Sequence, residues 1–160
     1  MLHWGIFQYH PRQPLLLTFL LVGVSLLNSC YAATAEGQVV EIRSGDRITI
    51  RLSDGSYRGV KLFGIRIPSP DKDSTRIAKR HLSMLLAGRY VSVKYTTLSS
   101  RGVILGTVLH GGADISLRML SDGFAMAANH PRLQASRLKR YKQAEATART
   151  RGLGFWQTLR

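Results

Sequence analysis

Acidic residues are scarce in this chain of 160 residues. Nine Asp and Glu stand against 23 Lys and Arg, a formal net charge of +14 at pH 7, and the basic residues are spread along the sequence rather than gathered in a tail. A surface of this sign disfavours cationic ligands and favours polyanions, namely nucleic acid, anionic lipid or acidic glycans. The alternative is a basic surface that serves solubility or binds an acidic protein.

Cysteine is nearly absent, since Cys30 is the single one, and this excludes an internal disulfide. Cys30 follows a run of 13 apolar-rich residues, 15–27 (LLLTFLLVGVSLL), which is too short for a comfortable transmembrane helix and typical of a signal peptide. The string LNSC at 27–30 resembles a bacterial lipobox in which Cys30 is acylated, although Asn28 is unusual there. Cleavage near 30–32 or 33–35 is the alternative.

These features predict an exported protein. It is either periplasmic, with a lipid anchor in the membrane through Cys30, or secreted in soluble form. We expect residues 1–30 to form the signal segment, residues 31–36 a short linker, and residues 37–157 one domain.

Repeats and low-complexity tracts are absent, and the domain alternates short strand patterns with helical ones. Period-2 and β-rich strings predict strands at 38–43, 47–52, 57–65, 90–95 and 103–109. Helices are predicted from Asp73 or Ser74 to about Ala87, after Ser116 as a cap, and from Pro131 to about Arg151. Five short strands with Gly-rich corners and separate helices favour an α+β domain built on a small closed barrel.

Five strings along residues 36–157 resemble, in order, motifs of the staphylococcal nuclease-like family. They are SGD at 44–46, KLFGIRIPS at 61–69, LLAGRYVSVKY at 85–95, DISLRMLSDGFA at 114–125 and YKQAEATARTRGLGFW at 141–156. The resemblance implies an OB-type five-stranded β-barrel with three helices. It also implies calcium-dependent hydrolysis of phosphodiesters, with two aspartates on the metal, a glutamate that activates water, and two arginines on the phosphate.

Most of those positions are substituted in this sequence. Asp46 matches the first metal-binding aspartate, whereas Lys61 replaces the first arginine and keeps its charge but not its bidentate fork. Arg66 replaces the second metal-binding aspartate, and Ser69 replaces the glutamate. Arg101 is the nearest candidate for the second arginine, although the ungapped match falls near Val103.

A shifted register is the alternative, in which Asp71 acts as the base. It leaves no second metal-binding carboxylate unless Asp73 turns toward the site. That register breaks the ungapped match of KLFGIRIPS. We therefore expect a catalytically degenerate domain with no cofactor, or with Ca²⁺ if the site is active.

Arg66 suggests a further hypothesis, because it occupies a metal-ligand position close to Asp46 in the family fold. An Arg66–Asp46 ion pair would put an internal cation where calcium belongs. The alternative is that Arg66 points into solvent, as surface arginines usually do.

The last predicted helix is strongly basic. Its candidate polyanion-binding residues are Arg137, Lys139, Arg140 and Lys142. Arg137, Arg140 and Tyr141 share one face, with Lys139 and Lys142 in a neighbouring stripe. A solvated helix face is the alternative, and no aromatic residue stands at 129 or 131, where the family stacks a base.

Three functions remain open. The first is an envelope domain that binds nucleic acid or another polyanion without catalysis. The second is an active nuclease whose site is rebuilt around Asp46, Asp71 and Arg101. The third is a structural or assembly lipoprotein that binds a protein partner or the anionic membrane.

Overall fold

The computed structural model describes residues 33–68 and 72–157. The predicted signal segment, Cys30, Ser69 and Asp71 lie outside the described residues. Eight strands and three α-helices are described in this part of the chain. The strands are β1 (Ala33–Ser44), β2 (Arg47–Leu52), β3 (Tyr57–Leu62), β4 (Ile65–Arg66), β5 (Tyr90–Leu98), β6 (Ile104–His110), β7 (Ala113–Asp114) and β8 (Met126–Ala127). The helices are α1 (Lys72–Leu86), α2 (Ile115–Ser121) and α3 (Ala135–Thr150), followed by a 3₁₀ turn at Gly154–Gln157.

Five of these strands close into a barrel. The hydrogen-bonded order is β3-β2-β1-β5-β6, and a parallel pairing of β3 with β6 completes the circle. β1 is long enough to pair with β5 through its first half and with β2 through its second, with register shifts after Val39 and Ile42. The predicted α+β class and OB-type five-stranded barrel with three helices are confirmed.

The barrel interior and the inner faces of the helices share one apolar core. Ile48, Ile50, Leu62 and Val93 are completely buried, as expected from the alternation of these strands. α1 contributes a buried stripe at i, i+4 and i+8, listed as Ala78, Leu82 and Leu86. No helix in the described ranges is long and apolar enough to cross a membrane.

Several predicted boundaries are wrong. Residues 33–36, expected to be a linker, already pair with β5. The third strand ends at Leu62, because Gly64 adopts a φ of 76° and turns the chain into β4. α2 is capped by Asp114, whose Oδ1 accepts a hydrogen bond from the amide of Leu117 at 3.2 Å, rather than by Ser116. α3 begins at Ala135, four residues after Pro131.

Other sequence-based expectations on the helices had mixed outcomes. Ile77 was expected on the apolar face of α1 but is 43% exposed. Gly88 ends α1 with a φ of 70°, as expected of a left-handed helix stop. Phe155 and Trp156 do pack back on the body and are buried.

Gly64 offers a direct test of the turn between β3 and β4. We expect Gly64→Ala to lower the free energy of unfolding by about 1–2 kcal/mol through the positive φ. A further loss of about 1–3 kcal/mol is expected from overpacking, since the new Cβ would lie 2.8 Å from Cε2 of Tyr141. Urea denaturation measures both.

Gly55→Ala is the matched control, because Gly55 has a φ of 80° and no atom within 4 Å of the added Cβ. Gly55→Ala should lose only the part of the free energy of unfolding that comes from the positive φ. Equal losses in the two variants would mean that Tyr141 yields freely and that the contact at Gly64 is not tight.

Candidate nucleic-acid interface

Asp46 lies in the turn between β1 and β2, and the turn is held from two sides. The backbone amide of Leu62 donates to the carbonyl of Asp46 at 2.9 Å. Behind the turn, Gly45 is so close to α1 that an added Cβ would lie 2.5 Å from Cβ of Ala78. This packing fixes where the Asp46 carboxylate points.

Both oxygens of that carboxylate have partners. The hydroxyl of Ser44 donates to Oδ1 at 2.7 Å, and Nζ of Lys61 lies 3.9 Å from Oδ2. The side chain of Asp46 is only 15% exposed, whereas that of Lys61 is 40% exposed. Lys61 therefore supplies the positive charge beside Asp46.

Arg66 does not form the expected pair with Asp46. It is exposed on β4, which leaves the barrel sheet and pairs with β8, where Arg66 stands opposite Met126. Among residues 33–68 and 72–157, Arg66 makes no ion pair. Arg66 therefore points into solvent, because the turn at Gly64 carries the chain out of the barrel sheet.

The two candidates for a second phosphate-binding position lie in or beside the turn after β5. Arg101 is exposed there and forms no ion pair within the described ranges. Val103, the position of the ungapped match, is half-buried and faces Gly59, where an added Cβ would lie 3.5 Å from its Cγ2. Arg101 therefore forms no ion pair with Asp46 in the described ranges, and Val103 has no charge with which to bind a phosphate.

A groove of about 210 Å³ runs over the outer surface of the barrel next to Lys61. Lys61 stands opposite Leu105 in the β3–β6 pairing, and Leu105 borders this groove. Phe63, two residues after Lys61 in the chain, also borders it. Rings and cations dominate the remaining wall: Tyr95, His130, Lys94, Arg132 and Arg137. No acidic residue of the described chain borders it.

His130 supplies an aromatic wall that sequence reasoning missed. Positions 129 and 131 carry no aromatic ring, but the ring of His130 meets that of Phe63 edge-on, with centroids 4.9 Å apart and planes at 73°. His130 is also a turn residue, since its Nδ1 accepts from the amide of Arg132 at 3.1 Å. Lys61 lies near the end of β3 and Phe63 in the turn that follows it, so the spacing of two residues was a usable signal that both reach the same side of the barrel.

The predicted polyanion-binding residues of α3 fall into two groups. Arg137 is half-buried and donates through Nη1 to Oγ1 of Thr107, at the edge of the groove. Arg140 is exposed and borders, together with Arg137, a hollow between α2 and α3. Lys139 and Lys142 are exposed and border a shallow hollow on a different side of the helix. The basic residues of α3 therefore do not form one continuous face.

Tyr141 holds α3 in this orientation. It is buried, and its hydroxyl donates to Oδ2 of Asp114 at 2.7 Å. Burial, followed by this hydrogen bond, raises the pKa of Tyr141 well above its usual value, so the hydroxyl remains a donor at neutral pH.

The closed barrel with three helices is an OB-type α+β domain. A profile of the family described as "Staphylococcal nuclease homologue" matches residues 59–158, so the chain belongs to the staphylococcal nuclease family. It is 28% identical over 145 residues to an "Uncharacterized endonuclease" of Haemophilus influenzae, covering 91% of this chain and 79% of that protein. It is also 29% identical over 143 residues to "Staphylococcal nuclease domain-containing protein 1" of Schizosaccharomyces pombe, covering 77% of this chain and 16% of that protein.

Calcium, which this family generally uses, does not fit the residues described around Asp46. Calcium takes six to eight oxygen ligands, several of them carboxylates. Here Asp46 is already engaged by Ser44 and Lys61, and no group of three metal-ligating side chains occurs in the part of the chain that the structure describes.

We expect calcium to leave the thermal midpoint of unfolding unchanged, because no group of three metal-ligating side chains surrounds Asp46 in the described ranges. A specific ion at 100 times its Kd would add about 2.7 kcal/mol of stability. Differential scanning fluorimetry in calcium chloride measures this, with magnesium chloride at equal ionic strength and a chelator as controls. A saturable rise with calcium alone contradicts the expectation and implies ligands from residues 69–71.

Proposed function

We propose that this staphylococcal nuclease-like domain binds nucleic acid, or another polyanion, without retaining the family's hydrolysis. One observation carries the proposal: a groove lined by rings and cations, with no acidic residue on its described wall, begins beside Lys61. Proteins that bind single strands combine a positive groove with aromatic surfaces on which bases stack.

The substituted positions support catalytic degeneracy. Hydrolysis in this family depends on carboxylates, yet Arg66 brings positive charge where the family has an aspartate. Lys61 keeps the charge of the family's arginine without its bidentate fork. Asp46 is the one metal-binding carboxylate of the family that the matched positions keep, and its oxygens are engaged by Ser44 and Lys61. A serine at position 69 cannot act as the general base.

An active endonuclease is the second candidate, and the name of the Haemophilus influenzae relative favours it. It requires a site rebuilt around Asp46, with Asp71 as base and Arg101 on the phosphate. A protein partner or the anionic membrane surface is the third possibility for the basic surface.

Export is a further part of the proposal, supported by the apolar run at 15–27 and by Cys30. Cys30 lies three residues before the start of β1 at Ala33. Three residues span at most about 11 Å. A lipid on Cys30 would therefore hold the barrel directly at the membrane surface.

The central experiment incubates the purified protein with labelled single- and double-stranded DNA, in calcium or in chelator, on native and denaturing gels. We expect a shift of intact DNA that weakens steeply with salt, because released counterions drive phosphate binding, and that is indifferent to calcium. Asp46→Asn should leave the shift unchanged.

Two results would contradict this expectation. Calcium-dependent cleavage that Asp46→Asn abolishes would establish the rebuilt nuclease site. Neither shift nor cleavage would favour the protein-partner function.

The anchor is tested separately by substituting Cys30→Ser in the full chain expressed in a bacterial host. We expect the wild-type protein to incorporate a clickable palmitate analogue and to sediment with membranes, because a diacylated cysteine partitions stably into lipid. The variant should lose the label. Ser25→Ala, within the apolar run, is the control and should keep it; an unlabelled wild type in the medium would mean soluble secretion.

A further inference from the structure

A second hollow lies beyond Arg137, on the side away from His130. Its volume is about 600 Å³, and it is bounded by β6, β7, α2 and the first half of α3. Lys94, Thr107 and Arg137 border both this hollow and the ring-lined groove. The two depressions therefore meet at these three residues, which we call the waist.

The waist brings two cations to one neutral hydroxyl. Lys94 on β5 stands directly opposite Thr107 on β6, and Arg137 reaches Thr107 from α3 with a hydrogen bond to its Oγ1. Thr107 is buried and accepts this bond, which leaves its own hydroxyl hydrogen free to be donated. Guanidinium, ammonium and hydroxyl are together the donor set that a phosphate oxygen accepts.

No carboxylate neutralises the two cations of the waist. Within residues 33–68 and 72–157, neither Lys94 nor Arg137 forms an ion pair. The nearby cations repel one another unless an anion lies between them.

The acids of the second hollow are committed elsewhere. Asp114 accepts from the amide of Leu117 and from Tyr141, so both of its oxygens are in use. Asp122 accepts from Nε of Arg118 at 2.7 Å and lies 2.8 Å from Nε2 of His81. The partners of Asp114 are neutral and leave it charged, but the cations that line the hollow outnumber Asp114 and Asp122, so its net charge is positive.

We propose that Lys94, Thr107 and Arg137 form a phosphate-binding subsite for single-stranded nucleic acid, through which the strand passes from the ring-lined groove into the second hollow. This inference rests on the proposed function and extends it by specifying the strand type and the path. A groove of about 210 Å³ bounded by Phe63 and His130 suits single unpaired bases rather than a duplex. Arg140 borders the second hollow and lies where the next phosphate would follow.

The test measures binding of a fluorescein-labelled oligothymidylate of twelve nucleotides by anisotropy over a range of salt concentrations. Lys94→Gln should weaken binding about tenfold, since hydrogen bonds to charged groups contribute that much. It should also reduce the slope of log K against log salt by about 0.7, the value for one phosphate contact on a single strand. Lys94 is exposed on a strand, so the variant should fold, and circular dichroism checks this.

Lys79→Gln is the matched control, because it removes the same charge from an exposed position on α1 that borders neither the ring-lined groove nor the second hollow. It should change affinity less than twofold. Thr107→Val is the second test: it keeps every charge, and should weaken binding several-fold while leaving the salt slope unchanged.

The outcomes separate this inference from the proposed function. If the wild-type protein fails to bind any nucleic acid, the proposed function fails. If it binds but Lys94→Gln and Lys79→Gln weaken binding equally, only the long-range electrostatic attraction of the protein acts on the strand, and the subsite is wrong. Preference for duplex over single strands would overturn the proposed path.

Discussion

β3 and β6 pair in parallel, with Val60 opposite Ile104 and Leu62 opposite Gly106. This pairing closes the barrel and leaves none of its five strands with a free edge on that side. On its other side β6 approaches β5 closely because position 106 is a glycine; an added Cβ would lie 2.7 Å from Cγ1 of Val93 on β5. Closure also sets Lys61 beside Leu105, so the Asp46 turn and the ring-lined groove become neighbours.

α3 depends on polar contacts to keep its place on this barrel. Only Tyr141 and Ala148 are buried along its length, so apolar packing alone would orient it weakly. Three hydrogen bonds supplement that packing: Tyr141 to Asp114, Arg137 to Thr107, and the amide of Ala127 to Oε2 of Glu145 at 2.9 Å. Because they attach both halves of the helix, Arg137 is held over the groove.

Scaffold and reactive positions are under different physical constraints in this domain. Core residues such as Ile48 and Leu62 are completely buried and must fill the barrel interior at native density. Lys61 is partly exposed and Arg66 is exposed, so neither side chain has to fill the core. The Lys61–Asp46 pair is about 3.9 Å long and partly solvated, and such pairs contribute roughly 0–1 kcal/mol. Its significance lies in the charge it places beside Asp46 rather than in stability.

Sequence alone determined much of the fold. The alternation at 47–52, the glycine stop at Gly88 and the ordered family strings led to a five-stranded barrel with three helices, since these signals are local. The predicted ends of strands were wrong where tertiary contacts outweighed the local preference of the sequence. β1 begins at Ala33 because β5 offers a partner there, and β3 ends early because Gly64 packs against Tyr141.

The sequence also determined which reactive residue types are present and which are replaced, and the strong positive charge. Only the tertiary structure decided which charges meet. It paired Asp46 with Lys61 rather than Arg66, and it brought Lys94, Thr107 and Arg137 together from two strands and a helix. These contacts between side chains depend on strand register, on the bend at Gly64 and on helix orientation. All three arise only when distant segments of the chain pack together.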